Sequence, residues 1–169
     1  MELRIAGIIR LVDDSVVDGD GYRFTIFTQG CPHACPGCQN PETWDFAGGC
    51  IVNTDDLIPK ILANPLLDGV TFSGGEPFAQ AAPLADLARK LRAHGLTLWA
   101  YTGYTLDALM ARQDPATDAL LAALDVLVDG PFLLDQRDLT LRFRGSKNQR
   151  IIDMNRTRTA GHVVLQYDD

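Results

Sequence analysis

Three short apolar runs recur at a fixed interval in this sequence, and that interval constrains the fold most. The runs are Val70-Thr71-Phe72, Leu98-Trp99-Ala100 and Val126-Leu127-Val128, so their starts at residues 70, 98 and 126 are 28 residues apart. Short apolar runs bounded by turn residues are typical of strands buried in a sheet. We predict a further strand before them at residues 23–28 and a last strand at residues 162–167.

Helical periodicity occupies the intervals between these strands. Gly95 stands where the C-terminal cap of one helix would fall, and Asp114-Pro115 interrupts the next helical stretch. An earlier helix is predicted to begin at Thr54, because Asp55 and Asp56 favour the positive N-terminal end of a helix. The predicted apolar stripes are Leu57, Ile58, Ile61 and Leu62; Leu84, Leu87, Ala88 and Leu91; Leu106, Leu109 and Met110; and Leu120, Leu121 and Leu124.

Strands that alternate with helices imply right-handed crossovers and a mostly parallel sheet. The chain has 169 residues, of which 46% are hydrophobic, and no linker divides it, so we expect a single domain over residues 1–169. An eight-fold barrel needs about 250 residues. The expected fold is therefore an α/β fold, either a partial, open barrel or a doubly wound sheet, with its site at the carboxyl ends of the strands.

Composition and charge exclude several classes of function. The net charge of −7 and the isoelectric point near 4.8 argue against binding nucleic acid through its phosphates. No stretch approaches the ~20 apolar residues that cross a membrane. The N-terminus is a poor signal peptide, because charged residues break its apolar runs. We therefore expect a cytoplasmic protein, in which clustered cysteines indicate metal or redox chemistry.

Three of the four cysteines lie within eight residues, in the stretch CPHACPGC at residues 31–38. Cys31, Cys35 and Cys38 have the thiolate chemistry that soft metals and iron–sulfur clusters prefer. Three ligands would leave one iron of a cluster with an open position. The alternative is a structural zinc site completed by His33 or Cys50. Otherwise we expect His33 to face solvent and Cys50 to be a lone buried structural cysteine.

Polar or glycine-rich turns follow the other predicted strands. Gly74, Gly75 and Glu76 offer close backbone approach, backbone amides for polar contacts and an acceptor for an ammonium group, although a tight turn explains the same residues. Thr102 and Asp129 follow the next two strands, where ordinary turn chemistry is an equal alternative. The locally basic segment at residues 143–150 is either a solvated loop or a contact for an anionic ligand or an acidic partner.

Several stretches together resemble the radical S-adenosylmethionine superfamily. They are TIFTQGCPHACPGCQNPETWDF, TFSGGEPFAQ, WAYTGYT, DVLVDGPF and FRGSKNQRIID. Within that superfamily they look most like the family of activating proteins of anaerobic ribonucleoside-triphosphate reductase. Gly37 precedes the third cysteine in this sequence, which agrees with that family. Many other members of the superfamily have an aromatic residue at this position. Asp20 replaces the proline of the usual DGPGxR stretch. The resemblance implies the partial, open (β/α) barrel of the superfamily.

The resemblance also implies a [4Fe–4S] cluster held by Cys31, Cys35 and Cys38, with S-adenosylmethionine on the open iron through its amine and carboxylate. The implied cofactor contacts are Gly74, Gly75 and Glu76 to the methionine part, with Glu76 near the amine; Gly37, Cys38 and Gln39 to the adenine; and Thr102 and Asp129 to the ribose or carboxylate end.

The implied activity is the activation of a reductase. One electron from a reduced flavodoxin-like donor would cleave S-adenosylmethionine at the cluster, and the resulting 5′-deoxyadenosyl radical would take hydrogen from one glycine of the reductase to form a glycyl radical. One alternative is an activase of another glycyl-radical enzyme, such as a formate-lyase type. The other alternative is a non-catalytic metal-binding or electron-transfer module.

Overall fold

One mixed sheet organises the chain in the computed structural model, which describes residues 1–7 and 11–167, and only the backbone of residues 11–14. In the described chain the strands are β1 (Glu2–Ile5), β2 (Leu11–Ser15), β3 (Arg23–Thr28), β4 (Cys50–Asn53), β5 (Gly69–Gly74), β6 (Thr97–Tyr101), β7 (Val126–Asp129) and β8 (Arg150–Asp153). Their order across the sheet is β4-β1-β3-β5-β6-β7-β8, and β2 pairs with β3 outside this path.

The centre of the sheet is parallel and its margins are antiparallel. Strands β3, β5, β6 and β7 run parallel, with Phe24 opposite Val70 and Val70 opposite Leu98. Strands β1, β2, β4 and β8 are antiparallel to their neighbours. The described strands do not close into a ring, because β4 and β8 form the two ends of the order. The prediction of an open α/β fold is confirmed, and the predicted parallel arrangement holds for the centre of the sheet.

Four helices of the described chain lie where their periodicity predicts them, and a fifth, at residues 154–160, was not predicted. In the described chain they are α1 (Thr54–Leu62), α2 (Ala81–Arg92), α3 (Leu106–Ala111), α4 (Pro115–Ala123) and α5 (Met154–Ala160). Helix α1 begins at Thr54 because the side chain of Asn53 accepts a hydrogen bond from the amide of Asp55. Asp114 caps α4 in the same way, which explains the interruption before it. Gly95 has a φ of 81° in the turn after α2.

The predicted last strand at residues 162–167 is wrong. Leu165 forms only an isolated bridge with Ile152, and Gln166 donates a backbone hydrogen bond to Ile151. The strand at this margin is β8 instead, which offers only two apolar residues between Arg150 and Asp153 and so gives little pattern to recognise. The short antiparallel strands β1, β2 and β4 also escape the sequence analysis.

The two faces of the sheet are covered differently. On one face the main core packs helices against the strands, with Leu84 and Leu87 of α2 fully buried together with Phe72 and Leu98. On the other face a small cluster is formed by Trp99, Val126, Val128 and Ile151, with Phe143 and Tyr167 packed against it. The helices therefore cover one face, and loops close over the other.

A buried arginine ties the amino ends of the central strands together. Arg23 is 1% exposed, and its guanidinium donates to the Thr71 hydroxyl at 2.7 Å, to the Thr97 hydroxyl at 2.9 Å and to the carbonyl oxygen of Val70 at 2.9 Å. Burial lowers its pKa to about 10. This side chain joins β3, β5 and β6.

The described helices can be compared with the length and apolar character of a membrane span. In the part of the chain that the structure describes, no helix combines the length and the apolar character that a membrane span requires.

Candidate functional site

The cysteine loop begins directly after β3 and folds back on itself. Gly30 has a φ of 105°, and its amide donates to the carbonyl oxygen of Thr43 at 2.7 Å. The amide of Cys31 donates to Trp44 at 3.2 Å. Inside the loop Ala34 and Gly37 have φ values of 49° and 77°, so the chain reverses twice there. The loop is thereby closed at its base.

The three thiols of this loop line one cavity of about 590 Å³, within the range of small-molecule sites. All three are free and half-buried. The amide of Asn40 lies 3.4 Å from the Cys38 sulfur, and burial raises the pKa of the Cys31 thiol. Within the described residues, no three His, Cys, Asp or Glu side chains are arranged to hold one metal ion. In a cluster, however, each thiolate binds its own iron.

The glycine-rich turn after β5 packs tightly against this loop. Gly74 has a φ of 96°, and a Cβ on Gly75 would lie 2.5 Å from the carbonyl oxygen of Gly30. The amides of Gly75 and Glu76 donate to Thr28 and Gly30, both at 2.8 Å. These two amides are therefore used within the fold and are not free for polar contacts with a ligand, contrary to one expectation from the sequence. The glycines bring β5 against the cysteine loop.

The Glu76 carboxylate is buried, at 1% exposure of the residue, and fully hydrogen-bonded. It accepts from the amide of Gly103 at 2.8 Å, the amide of Phe78 at 3.0 Å and the hydroxyl of Thr102 at 2.9 Å. His33 Nε2 lies 2.6 Å from the same carboxylate. Since an ionised carboxylate offers about four acceptor positions, these four partners occupy it. Glu76 joins three loops behind the cavity wall.

His33 does not face solvent, and that prediction is wrong. Its side chain is 16% exposed and points to Glu76 rather than outward. The ring packs edge-on against Tyr104, with ring centroids 4.4 Å apart. The signal that could have found this contact is the shared sheet edge of His33 and Glu76.

Asp129 is also engaged within the fold. Its carboxylate accepts from Arg150 at 2.6 and 3.0 Å and from the amide of Leu106 at 2.8 Å, and the residue is 1% exposed. It fixes the start of α3 and the junction with β8. The Arg150 guanidinium is half-buried, and its hydrogen bonds with Asp129 raise its pKa.

The structure brings most of the predicted site residues to one cavity. Those that line the cavity are Cys31, Cys35, Cys38, Gln39, Gly74, Gly75 and Thr102. Gly37, Glu76 and Asp129 are not among the lining residues. Cys50 opens β4, where it is half-buried and packs against the main core, and it does not line the cavity either.

The segment at residues 143–150, whose role the sequence analysis left open between a solvated loop and a contact for a ligand or partner, contributes to the lining of the same cavity. Arg144 and Gln149 line the cavity together with Phe132 and Phe143. The Tyr101 hydroxyl donates to the carbonyl oxygen of Phe143 at 2.6 Å, and Gln149 Oε1 accepts from two amides of its own loop. Asp18 also lines the cavity. The sequence analysis did not identify any of these side chains individually. It identified only the basic segment at residues 143–150, which contains Phe143, Arg144 and Gln149.

The donor set fits a [4Fe–4S] cluster with a small polar ligand beside it. Three thiols face the cavity that the backbone of Gly74 and Gly75 also lines. Thiolates are the ligands that iron–sulfur clusters use, and Thr102 and Gln39 add hydroxyl and amide groups within the same cavity.

Comparison with known proteins agrees with this donor set. A family described as a 4Fe-4S single cluster domain matches residues 17–152. The chain is 37% identical over 146 residues to the anaerobic ribonucleoside-triphosphate reductase-activating protein of Haemophilus influenzae, covering 80% of this chain and 90% of the relative. It is 36% identical over 117 residues to the pyruvate formate-lyase 1-activating enzyme of Escherichia coli, covering 66% of this chain and 46% of the relative. Among solved structures, QueE from Escherichia coli matches with a TM-score of 0.48 and 23% identity, over 62% of this chain and 54% of that one.

Proposed function

We propose, from the premise that this chain belongs to the family of anaerobic ribonucleoside-triphosphate reductase-activating proteins, that it generates a glycyl radical on such a reductase. The observation that carries the proposal is that three cysteine thiols and the Gly74-Gly75 turn line one cavity. That arrangement supports a site in which a cluster and an amino-acid-like cofactor would lie side by side. A zinc site or an electron-transfer module requires no binding site for an amino-acid-like cofactor.

The cofactors supply the chemistry in this proposal. Cys31, Cys35 and Cys38 would hold a [4Fe–4S] cluster, which when bound would supply the one electron that breaks the sulfonium C–S bond of S-adenosylmethionine to give methionine and a 5′-deoxyadenosyl radical. The protein's contribution is to bind, orient and exclude water. The electron would come from a reduced flavodoxin-like donor in the cytoplasm.

Several residues would orient S-adenosylmethionine. The methionine part would lie along the backbone of Gly74 and Gly75, and Thr102 would contact its ribose or carboxylate end. Cys38 and Gln39 would contact the adenine through their backbone, next to Gly37. Because the carboxylates of Glu76 and Asp129 already have their partners, we expect both to hold these loops in place more than to bind the amine or the ribose directly.

The half-covered sheet suits a protein substrate. Loops rather than helices close over the face that carries the cavity, so a glycine-containing loop of the reductase has an approach that a complete barrel would block. The architecture supports a protein as the substrate but identifies no particular docking residue.

The ligand set is tested by comparing two cysteine variants. We expect Cys35→Ser to lose the iron and the visible absorption of an anaerobically purified protein, because one of three thiolates is missing. Cys50→Ser should keep both, because Cys50 packs against the core away from the cavity. Equal loss of the cluster in both variants would contradict the three-ligand assignment.

The reaction is tested by adding reductant, S-adenosylmethionine and a candidate reductase under anaerobic conditions. Electron paramagnetic resonance should show a glycyl radical on the reductase, together with release of 5′-deoxyadenosine. Without that release the enzyme assignment fails, and a non-catalytic module remains.

A formate lyase is the second candidate substrate. It is favoured by the 36% identity to the pyruvate formate-lyase 1-activating enzyme, although that match covers 46% of the relative. The same assay with a formate lyase in place of the reductase separates the two. A radical on the lyase alone would reassign the substrate.

A further inference from the structure

A histidine inside the cysteine loop makes a contact that leaves the loop. His33 Nε2 lies 2.6 Å from Glu76 Oε1, and the two side chains are 16% and 0% exposed. By contrast, the amide of Cys31 donates to Trp44, and the amide of Cys38 donates to Cys35. Those two bonds shape the loop itself, whereas the His33 bond joins its interior to the turn after β5.

The chemistry of Glu76 sets the direction of this hydrogen bond. Two backbone amides, from Phe78 and Gly103, and the Thr102 hydroxyl already donate to the carboxylate. A group that receives three donors at both oxygens acts as an ionised acceptor. His33 Nε2 therefore carries the proton and donates it, and a hydrogen bond to a buried carboxylate is among the stronger ones in proteins.

The imidazole ring is also fixed from its sides. A Cβ on Gly103 would lie 2.5 Å from His33 Cδ2, so only glycine at 103 admits the ring in this place. Tyr104 packs against the ring edge at an interplanar angle of 71°. The Arg112 guanidinium lies 4.3 Å from the Tyr104 ring centroid, a cation–π contact that helps to hold the tyrosine in place.

We propose that His33 is a positioning residue that sets the cysteine loop against the S-adenosylmethionine-binding turn through Glu76. The inference rests on the proposed function. His33 lies two residues from Cys31 and two from Cys35, while Glu76 directly follows the Gly74-Gly75 turn. A bond between these two side chains adds to the backbone hydrogen bond from Glu76 to Gly30 and orients the middle of the cysteine loop against the cofactor-binding turn. Cluster assembly requires only the thiols, so His33 governs the relation between the two halves of the site.

Two variants and one control separate this role from a general effect on folding. His33→Phe keeps a ring against Tyr104 and removes both nitrogens. His33→Gln restores an N–H donor of similar reach. The control is His94→Phe, which makes the same exchange at an exposed histidine after α2, outside the cavity.

The first readout needs no cofactor. Hydrogen exchange of the apoprotein, followed by mass spectrometry, should be faster at residues 30–38 and at the amide of Gly103 in His33→Phe than in the wild type. His33→Gln and His94→Phe should keep the wild-type pattern. Unchanged exchange in His33→Phe would overturn the coupling while leaving the proposed function intact.

The second readout uses the reconstituted protein. We expect His33→Phe to bind as much iron as the wild type, and its Kd for S-adenosylmethionine to rise about 10-fold, as for loss of one charge-assisted hydrogen bond. The change that S-adenosylmethionine causes in the electron paramagnetic resonance signal of the reduced cluster should weaken accordingly. His33→Gln should recover the affinity to within about 3-fold.

A double-mutant cycle tests the route through Glu76. In the Glu76→Gln background, His33→Phe should change the Kd by less than about 2-fold, because residues that act through one contact are not additive. Fully additive effects would overturn the route, and so would equal loss of iron in the His33→Phe and His33→Gln variants. If the wild type neither binds nor cleaves S-adenosylmethionine, the proposed function fails and the inference fails with it.

Discussion

Both ends of the central sheet contain a buried ionisable side chain that many groups contact, but the two side chains join different parts of the molecule. At the amino ends, Arg23 donates to Thr71, Thr97 and Val70, all within strands β5 and β6. At the carboxyl ends, Glu76 accepts from Phe78, His33, Thr102 and Gly103, all in segments that follow a strand or in the cysteine loop. Arg23 fastens the strands of the sheet, whereas Glu76 fastens the loops that build the cavity.

The difference shows how one sheet serves stability and chemistry at separate edges. The loops at the carboxyl edge carry the thiols and glycines, and backbone hydrogen bonds from Gly75 and Glu76 fix the glycine turn only to the base of the cysteine loop. An acceptor with about four positions joins the remaining segments through one side chain. At the amino edge the strands are already paired, so Arg23 adds stability to an arrangement that the backbone specifies. Substitutions at the two ends should therefore have separable effects.

The largest expected effect on stability is at Arg23. Arg23→Met fills the space but leaves the carbonyl oxygen of Val70 and two threonine hydroxyls without their donor. We expect a loss of about 3 kcal/mol in the free energy of unfolding, measured by urea denaturation of the apoprotein. Below the melting temperature the folded fraction should still bind iron through its three thiols. Failure to assemble the cluster while folded would contradict the separation of the two ends.

The Gly75→Ala exchange should affect both properties. Its Cβ would lie 2.5 Å from a backbone oxygen of Gly30, and backbone cannot give way as a side chain does. We expect a loss of about 2 kcal/mol in stability, typical of overpacking, and a marked loss of S-adenosylmethionine binding in an equilibrium titration. Gly95→Ala is the control for S-adenosylmethionine binding: Gly95 has a φ of 81°, a positive value that Gly75 does not share, but nothing lies within 4 Å of its added Cβ. Equal S-adenosylmethionine affinities in the two variants would contradict the role of close packing at Gly75 in cofactor binding.

Glu76→Gln should lower cofactor affinity more than stability. The amide replaces one acceptor oxygen by a donor, which opposes the donors from Thr102, Gly103 or Phe78. We expect S-adenosylmethionine affinity to fall about 10-fold to 100-fold, as for residues that orient metal ligands from behind, while stability falls by about 1–2 kcal/mol. A stability loss equal to that of Arg23→Met with unchanged affinity would show that Glu76 is merely structural.

The smallest effect should come from the helix cap at Asn53. Asn53→Ala removes the acceptor for the Asp55 amide at the start of α1, which costs about 1 kcal/mol in stability. Cluster content and 5′-deoxyadenosine release should match the wild type. This variant therefore measures whether a modest loss of stability far from the cavity changes cluster content or 5′-deoxyadenosine release.

The sequence predicts the parallel centre of the sheet well, because buried strands and amphipathic helices have strong periodic patterns. The 28-residue interval predicted β5, β6 and β7, and each has the expected helix or helices beside it. The margins lack such patterns. Strand β8 has two apolar residues, and the longer apolar run at residues 162–167 attracted the prediction instead. Pairing to an edge depends on partners that are distant in the sequence.

The site shows the same division. Spacing alone grouped the three cysteines, and positions after strands grouped Gly74, Gly75 and Thr102, which line the same cavity. The partners of Glu76 and Asp129 lie up to 43 residues away in the chain, so their saturation could not be read from local patterns. His33 was predicted to face solvent for that reason. A residue type shows what a side chain can do, and its neighbours decide which of those possibilities remains.

The proposed function is tested directly by following the transfer of hydrogen from a glycine of the reductase. A reductase labelled with deuterium at the glycine α-carbons is incubated with this protein, reductant and S-adenosylmethionine, and the 5′-deoxyadenosine is analysed by mass spectrometry. We predict that one deuterium appears in the 5′-deoxyadenosine as the glycyl radical forms, and that Cys35→Ser releases none. Unlabelled 5′-deoxyadenosine beside a glycyl radical, or a radical formed by the Cys35→Ser variant, would contradict the proposed function.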